Sequence, residues 1–305
     1  MKTIPVLFGV NDQYVPVLLT SMVSLIAHTD TTTHYRLIVL NDGLTPVHQQ
    51  QLTDLAQDNV QVDLVSMTDK FKQVLANDQG TLRGEIQTMT IFFRLFIADL
   101  LPEYDQVVYL DADTIINTDI AALATMDLHH NLLAATRDVF ASDNPATAAY
   151  IQTVLGIPTD QYFNSGVLVM NLQGLRAMKF SQKFMQAHAT TLVTPVAPDQ
   201  DYLNALCAGR VQALDATWNA MPMAPALAAP KLIHYCLFEK PWHYADVRYH
   251  AAFWQAAQAT PYEADFKQQL AAYTPAMQEH DQVVAKSLIA QTVKVAAAGH
   301  ALVPA

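Results

Sequence analysis

Short apolar runs alternate with helix-like segments through the first half of this sequence, and this alternation restricts the fold more than any other feature. Four runs have the composition of buried strands, at residues 4–10, 35–40, 60–65 and 105–110. Helical patterns occupy residues 15–28 and 46–55 between them. Strands and helices that take turns at these spacings predict right-handed βαβ units and a mostly parallel, Rossmann-like sheet flanked by helices. The predicted fold class is therefore α/β.

The composition changes near residue 245. Residues 1–245 hold the alternating pattern and are predicted to form one α/β domain, whereas residues 246–305 are rich in alanine and glutamine at helical spacing and are predicted to form a helical extension. Four apolar residues of the extension are expected on one helical face, at Val284, Leu288, Val293 and Val295. Such a face packs on its own domain or on a second copy of the chain, so we expect a possible homo-oligomer.

Charge and cysteine content exclude several functions. The chain has 17 Lys and Arg against 28 Asp and Glu, a net charge of −11, so its field repels polyanions and disfavours nucleic-acid binding. Cys207 and Cys236 lack the number and spacing of a disulfide framework and fit a reducing compartment. The first ten residues do not form a signal peptide, and the uncharged stretch at 15–27 is too short to span a bilayer. We expect a cytoplasmic protein without stable membrane anchoring.

Two carboxylates one residue apart follow the fourth predicted strand, at Asp111 and Asp113. Open α/β sheets bind ligands at the carboxyl ends of their strands. Carboxylate oxygens suit Mg²⁺ or Mn²⁺, which complete their coordination with water and phosphate oxygens. A turn with two solvated aspartates is the alternative, but apolar residues flank the pair on both sides. The pair therefore indicates a metal and phosphate site.

Haloacid-dehalogenase-like phosphatases also end a strand in Asp-x-Asp and use the first aspartate as a nucleophile. Their pattern has threonine or valine two positions after the second aspartate, where this chain has Ile115, and it usually lies in the first strand. The chain also shows no downstream lysine followed by an acidic pair. The phosphatase interpretation is therefore disfavoured.

Further motifs follow one another in a specific order along the chain. They are FGVNDQY at residues 8–14, FRL at 93–95, YFNSGVLVMN at 162–171, PDQDYLN at 198–204, WN at 218–219 and HYCLFEKPWH at 234–243. Together with Asp111 and Asp113 they resemble glycosyltransferase family 8, the retaining enzymes that include glycogenin and the bacterial lipopolysaccharide galactosyl- and glucosyltransferases. The resemblance covers about residues 4–245.

This resemblance implies a GT-A catalytic domain at residues 1–245, a UDP-sugar donor, Mn²⁺ or Mg²⁺, and transfer with retention at the anomeric carbon. By matching position it assigns the metal to Asp111, Asp113 and His234, and imidazole is a suitable third ligand for Mn²⁺. Arg94 matches an arginine near the donor sugar and diphosphate. Lys240, with the metal, would neutralise charge on the leaving diphosphate.

The resemblance also implies a donor pocket. Gly9, Asn11 and Tyr14 would hold the uridine, with Tyr14 stacking on the base and the backbone at Gly9 approaching it closely. Ala112 would contact the donor from between the two aspartates, and Asn164 would contact the sugar.

Three neighbouring residues are candidates for the reacting centre. Asp199 and Gln200 match family positions that hold donor hydroxyls and face the anomeric carbon. Asp201 is the nearest candidate for the carboxylate nucleophile that a covalent intermediate would need. Front-face attack would also retain configuration, and the sequence leaves both routes open.

The chain departs from the family's pattern in two places. Asn11 and Gln13 stand where family members usually have aspartate and asparagine, which alters a uridine contact. Leu237 stands where the family has glycine for close approach of the backbone to the diphosphate. Because leucine takes positive φ only at a cost and adds bulk, it is expected to crowd the phosphates.

The sequence thus predicts a metal-dependent retaining hexosyltransferase that moves glucose or galactose from a UDP-sugar to a saccharide or glycosylated-protein acceptor. The alternative is a non-catalytic glycosyltransferase-like subunit of a glycosylation complex. The full set of Asp111, Asp113, His234, Lys240 and Gln200 favours the enzyme, because a protein that only binds has no need of it.

Overall fold

A seven-stranded sheet lies at the centre of the molecule. The computed structural model describes residues 3–67 and 86–303. The strands in these ranges are β1 (Thr3–Val10), β2 (His34–Asn41), β3 (Val60–Ser66), β4 (Gln106–Leu110), β5 (Thr114–Ile116), β6 (Leu133–Arg137), β7 (Phe163–Asn171), β8 (Val211–Ala213) and β9 (Leu232–His234). The spatial order in the large sheet is β3-β2-β1-β4-β7-β6-β8, and β5 pairs with β9 in a separate two-stranded sheet.

Helices cover both faces of the sheet and form the carboxyl-terminal part of the chain. They are α1 (Val15–Ile26), α2 (Pro46–Thr53), α3 (Ile97–Leu100), α4 (Ala121–Ala124), α5 (Val139–Ser142), α6 (Pro145–Ala149), α7 (Leu172–Ala177), α8 (Phe180–Thr190), α9 (Pro198–Leu206), α10 (His250–Ala257), α11 (Glu263–Ala272) and α12 (Pro275–Ala297). A 3-10 helix spans Ile86–Leu95, and a single π turn spans Tyr150–Val154.

The strand directions place the ends of several strands at one edge of the sheet, where the candidate site lies. β1 runs parallel to β2 and β4, β2 to β3, and β6 to β8, whereas β7 runs antiparallel to β4 and β6. The carboxyl ends of β1, β4 and β6 therefore lie at the same edge as the beginning of β7. The prediction of a mostly parallel α/β sheet is confirmed.

The core lies on both faces of the sheet. Leu7 of β1 packs into the apolar cluster that contains Phe93 and Tyr109, while its neighbours Val6 and Phe8 pack into a second cluster on the opposite face. Burial on both faces explains why these strands appear in the sequence as continuous apolar runs rather than as an alternating pattern.

The carboxyl-terminal helices pack on the α/β body. α10 contacts α1, and α12 contacts α6 and the π turn. Beyond α12, Leu302 is buried and its amide donates to the carbonyl of Val154 at 2.8 Å. The boundary near residue 245 stays a prediction. None of the helices described above combines the length and the apolar character that a membrane span requires.

The expected apolar face of α12 is only partly correct. Val284, Leu288 and Val295 are half-buried, but Val293 is 50% exposed. A helix turns 100° per residue, so position 293 lies roughly opposite the other three. Including Val293 in the packed face was therefore wrong.

Candidate active site

Three chain segments bring polar side chains to the sheet edge. Asp111 follows β4 directly and its amide donates to the carbonyl of Gly166 in β7 at 2.8 Å. Asp138 follows β6, and Gln200 lies in the first turn of α9. Because strands and a helix rather than long loops carry these groups, their relative positions are set by the sheet.

Asp111, Asp113 and His234 form a compact group. Each offers a ligand atom, and these atoms all lie within 4.8 Å of one another. Nε2 of His234 lies 3.3 Å from Oδ1 of Asp113 and 3.6 Å from Oδ2 of Asp111. The pairing of β5 with β9 sets Thr114 opposite His234, and this register brings the histidine beside the two aspartates.

Two amides fix the proton on His234. Nδ2 of Asn219 donates to Oδ1 of Asn164 at 2.9 Å, which leaves Oδ1 of Asn219 to accept from Nδ1 of His234 at 3.0 Å. A neutral imidazole so bonded carries its proton on Nδ1 and directs the lone pair of Nε2 at the carboxylates. Lone pairs that face one another in this way fit a cation between them.

Gly166 provides the space for this group. A Cβ at position 166 would lie 2.1 Å from Cε1 of His234 and 2.8 Å from Oδ2 of Asp111, so no side chain fits there. Two carboxylates and one imidazole are suitable ligands for Mn²⁺ or Mg²⁺. Asp111, Asp113 and His234 would therefore hold the ion, and its remaining positions would take water or phosphate oxygens.

Lys240 compensates the charge of Asp113. Its ammonium group donates to Oδ2 of Asp113 and to the carbonyl of Tyr235, and the hydroxyl of Tyr14 donates to the same carboxylate oxygen at 3.3 Å. Burial alone would raise the pKa of Asp113, but the charge of the Lys240 ammonium lowers it well below its ordinary value. Burial opposes the charge of Lys240, yet Asp113 raises the pKa of the ammonium. Both groups are therefore charged at neutral pH.

Arg94 joins the metal group to α9. Its guanidinium donates to Oδ1 of Asp111 at 2.7 Å and to the carbonyl of Ser165 at 2.8 Å, and its Nε lies 3.1 Å from Oδ2 of Asp199. The ring of Tyr109 lies 4.5 Å below it. Burial raises the pKa of Asp199, and the charge of Arg94 opposes that rise. Arg94 is thus a buried cation that fixes two carboxylates relative to each other.

A cavity of about 200 Å³ beside the metal group contains five of the predicted donor residues but not Asn164 or Lys240. It is formed by Gly9, Val10, Asn11, Tyr14, Thr90, Arg94, Asp111, Ala112 and Asp113. A Cβ on Gly9 would lie 3.2 Å from the hydroxyl of Tyr109, so glycine keeps this wall close to β4. The side chain of Asn11 accepts from the amide of Tyr14 at 3.0 Å and caps the following turn. Contacts of these residues with a uridine stay predictions.

Asp138 was not identified from the sequence, in which two polar residues separate it from the apolar residues 132–135. Its Oδ2 accepts from Nε2 of Gln200 at 3.0 Å and from Nδ2 of Asn164 at 3.4 Å. No strand was predicted before Asp138, and a single aspartate after residues 132–135 is a weak signal. Asp138 thus links Gln200 to Asn164, and both lie in the site.

Asp201 does not lie in the site. Its carboxylate is fully buried and accepts from the hydroxyls of Tyr150 and Tyr162 and from the amides of Val196 and Ala197. Burial raises its pKa to about 6, and these hydrogen bonds oppose the rise. A carboxylate enclosed by four donors cannot reach a bound sugar, so the expectation of a nucleophile at Asp201 is not supported by its position.

Leu237 adopts the backbone conformation that the glycine pattern requires. Its φ is +56°, in the left-handed region. Its side chain is 45% exposed and lines a different cavity, of about 520 Å³, with Phe140, Phe238 and residues of α12. The expectation that Leu237 crowds the phosphate side of the site is therefore wrong, because the side chain projects into the neighbouring cavity.

The fold and the site define a class of protein, the glycosyltransferases with the GT-A fold. The chain is similar to the apo structure of the bifunctional glycosyltransferase WbbM, with a TM-score of 0.76 and 25% identity, and the match covers 88% of this chain and 51% of WbbM. It also shares its fold with the galactosyltransferase LgtC in complex with donor and acceptor sugar analogues, with a TM-score of 0.66, 24% identity, and coverage of 85% of this chain and 96% of LgtC.

The chain belongs to glycosyl transferase family 8, whose sequence profile matches residues 5–246. It is 28% identical over 268 residues to the lipopolysaccharide 1,2-glucosyltransferase of Escherichia coli K12, which corresponds to 80% of this chain and 75% of that protein. The predicted family is confirmed, and with it the prediction of a hexosyltransferase.

Proposed function

We propose that this chain transfers glucose or galactose, with retention at the anomeric carbon, from a UDP-sugar to a saccharide or a glycosylated protein, and that it acts in the cytoplasm. The observation that carries the proposal is the group of Asp111, Asp113 and His234 beside Lys240 and the cavity at Gly9. A hexose donor is supported by the relative in E. coli, which is a glucosyltransferase by name.

The charged residues suit a diphosphate leaving group. A bound Mn²⁺ or Mg²⁺ would coordinate diphosphate oxygens and offset the negative charge that develops on the departing UDP. Lys240 would add a second positive charge on the same side, because its ammonium is held next to Asp113. Tyr14, which donates to Asp113, would orient that carboxylate while its ring faces the nucleotide pocket.

Retention by front-face attack is the route that the arrangement favours. Asp201 is enclosed by protein donors, and Asp199 is held by Arg94 and by the hydroxyl of Ser165 at 3.1 Å. Gln200 then remains as the polar group at the reacting centre, and its neutral amide would orient the sugar rather than form a stable covalent bond with it.

A panel of UDP-sugars tests the donor and the metal together. We expect slow hydrolysis of UDP-glucose or UDP-galactose without acceptor in the presence of Mn²⁺ or Mg²⁺, and its loss on addition of EDTA. UDP binding is measured in parallel by calorimetry. Binding of UDP without hydrolysis or transfer of any donor would instead favour the non-catalytic subunit.

Asp113→Asn should abolish this metal-dependent turnover. Loss of a charged ligand should weaken Mn²⁺ binding by at least the roughly 10- to 100-fold typical of changes around a metal site. Asp105→Asn is the control, because the side chain of Asp105 is 82% exposed just before β4 and outside the site. Wild-type hydrolysis in Asp113→Asn would show that the metal assignment is wrong.

A further inference from the structure

The side-chain amide of Gln200 is held in a single orientation. Its Nε2 donates to Oδ2 of Asp138 at 3.0 Å and to the hydroxyl of Tyr162 at 2.9 Å. Its Oε1 accepts from the amide of Ser165 at 3.0 Å, whereas the single proton of the Ser165 hydroxyl is directed at Asp199, at 3.1 Å. Both N–H groups of the Gln200 amide and one acceptor position of its oxygen are therefore occupied by protein groups, which fixes the two ends of the amide.

Asp201 determines the direction of one of these bonds. A carboxylate only accepts, so the single proton of the Tyr162 hydroxyl points to Oδ1 of Asp201, at 2.9 Å. The hydroxyl oxygen of Tyr162 can then only accept from Gln200, and it selects the nitrogen end of the amide. The other oxygen of Asp201 is held by Tyr150 at 2.6 Å and by the amides of Val196 and Ala197 at 3.0 and 2.9 Å.

We propose that Asp201 is a positioning residue: through the hydroxyl of Tyr162 it fixes the orientation of the Gln200 amide at the reacting centre. The proposal rests on the proposed function, in which Gln200 faces the anomeric carbon. It also explains a buried carboxylate beside the catalytic segment, since Asp201 adjoins Gln200 in α9 but touches no part of the donor cavity.

The Asp201→Asn variant should reverse the hydrogen bonds. Three donors face Oδ2, so the new amide would place its oxygen there and turn its NH₂ group toward Tyr162. Tyr162 would then accept from that NH₂ and direct its own proton at Gln200, whose nitrogen cannot accept it. The Gln200 amide would have to turn over or move away from Ser165 and Asp138.

Two tyrosines provide a matched pair for the kinetic test. Tyr150→Phe and Tyr162→Phe each remove one buried hydroxyl that donates to Asp201, but only Tyr162 touches Gln200. We expect Tyr162→Phe to lower kcat for hydrolysis of the active UDP-sugar about 10-fold or more, because small displacements of a reacting geometry are costly. The KM for the donor and calorimetric UDP binding should stay within about two-fold, and Tyr150→Phe should keep kcat within about two-fold of the wild type.

Both phenylalanine variants could instead lose kcat in proportion to the stability that each loses. That result would show that Asp201 has only a structural role, and it would overturn the proposal. A crystal structure of Asp201→Asn gives a second test that needs no activity, since an unmoved Gln200 amide there would also overturn it. If the wild-type chain hydrolyses no UDP-sugar, the proposed function fails, while the displacement of Gln200 in that crystal structure remains measurable.

Discussion

At the scale of single residues, the geometry of the candidate metal site depends on small residues and amides that lie beside the ligands. Gly166 lies against His234 and Asp111, two ligands of the candidate metal, and Asn219 sets the position of the proton on His234. Neither Gly166 nor Asn219 would touch the ion. The geometry of the ligand group is therefore determined by residues around it as much as by the ligands themselves.

Gly166→Ala should abolish Mn²⁺ binding with the fold retained. The new methyl group would lie 2.1 Å from His234, which must swing away from Asp111 and Asp113. Calorimetric titration with Mn²⁺ measures the loss. The control is Gly174→Ala, which is also crowded, with its Cβ 3.0 Å from Asn171, but lies away from the ligands. Mn²⁺ binding that survives in Gly166→Ala would contradict the assigned site.

Leu237 permits a test of backbone strain. A left-handed conformation costs an L-residue about 1 kcal/mol. The free energy of unfolding of Leu237→Gly should therefore exceed that of Leu237→Ala by about this amount. Both variants remove the same half-exposed side chain, and only glycine relieves the φ of +56°. Urea unfolding of the pair measures the difference. Equal stability of the two variants would mean that the backbone relaxes elsewhere.

At the scale of elements, the segment after α12 is tied to the π turn that carries Tyr150. Leu302 is fully buried in the same cluster as Tyr150 and Val154, and its amide bonds to Val154. Leu302→Ala should therefore lower the free energy of unfolding by about 2–5 kcal/mol. Val293→Ala is the control, because Val293 is 50% exposed on α12, and it should change little. Denaturant unfolding compares them, and an equal effect would contradict the packing described for the terminus.

The strands β1, β2 and β4 were predictable because each contains a continuous apolar run, and β3 because its apolar and polar residues alternate. Asp111 and Asp113 were predictable for the same reason, since they end such a run. By contrast, Asn164 lies within β7. The polar residues at 164 and 165 are typical of a loop, but the apolar residues that follow them belong to the same strand. The roles of Asp138, Asp201 and Leu302 depend on partners 26 to 148 residues away in the chain, and no local pattern encodes such contacts.

At the scale of the whole molecule, charge opposes attachment to an anionic membrane. The chain has a net charge of −11, and its segment 262–305 contains three lysines and four acidic residues. Basic groups near anionic lipid contribute about 1 kcal/mol each, and here no net excess of them exists. We expect no co-sedimentation of the full chain with vesicles of anionic lipid at physiological salt. Substantial binding that disappears on deletion of residues 262–305 would contradict this expectation.

The pairing of β5 with β9 has a consequence for the order in which the protein matures. Thr114 pairs with His234, so the third candidate ligand joins the other two across 120 residues of the chain. During synthesis Asp111 and Asp113 emerge long before it, and contacts between such distant residues form slowly. A nascent chain that ends before β9 therefore has only two ligands. Binding of a metal at this site would thus be a late event, which requires that the chain through His234 has been synthesised and folded.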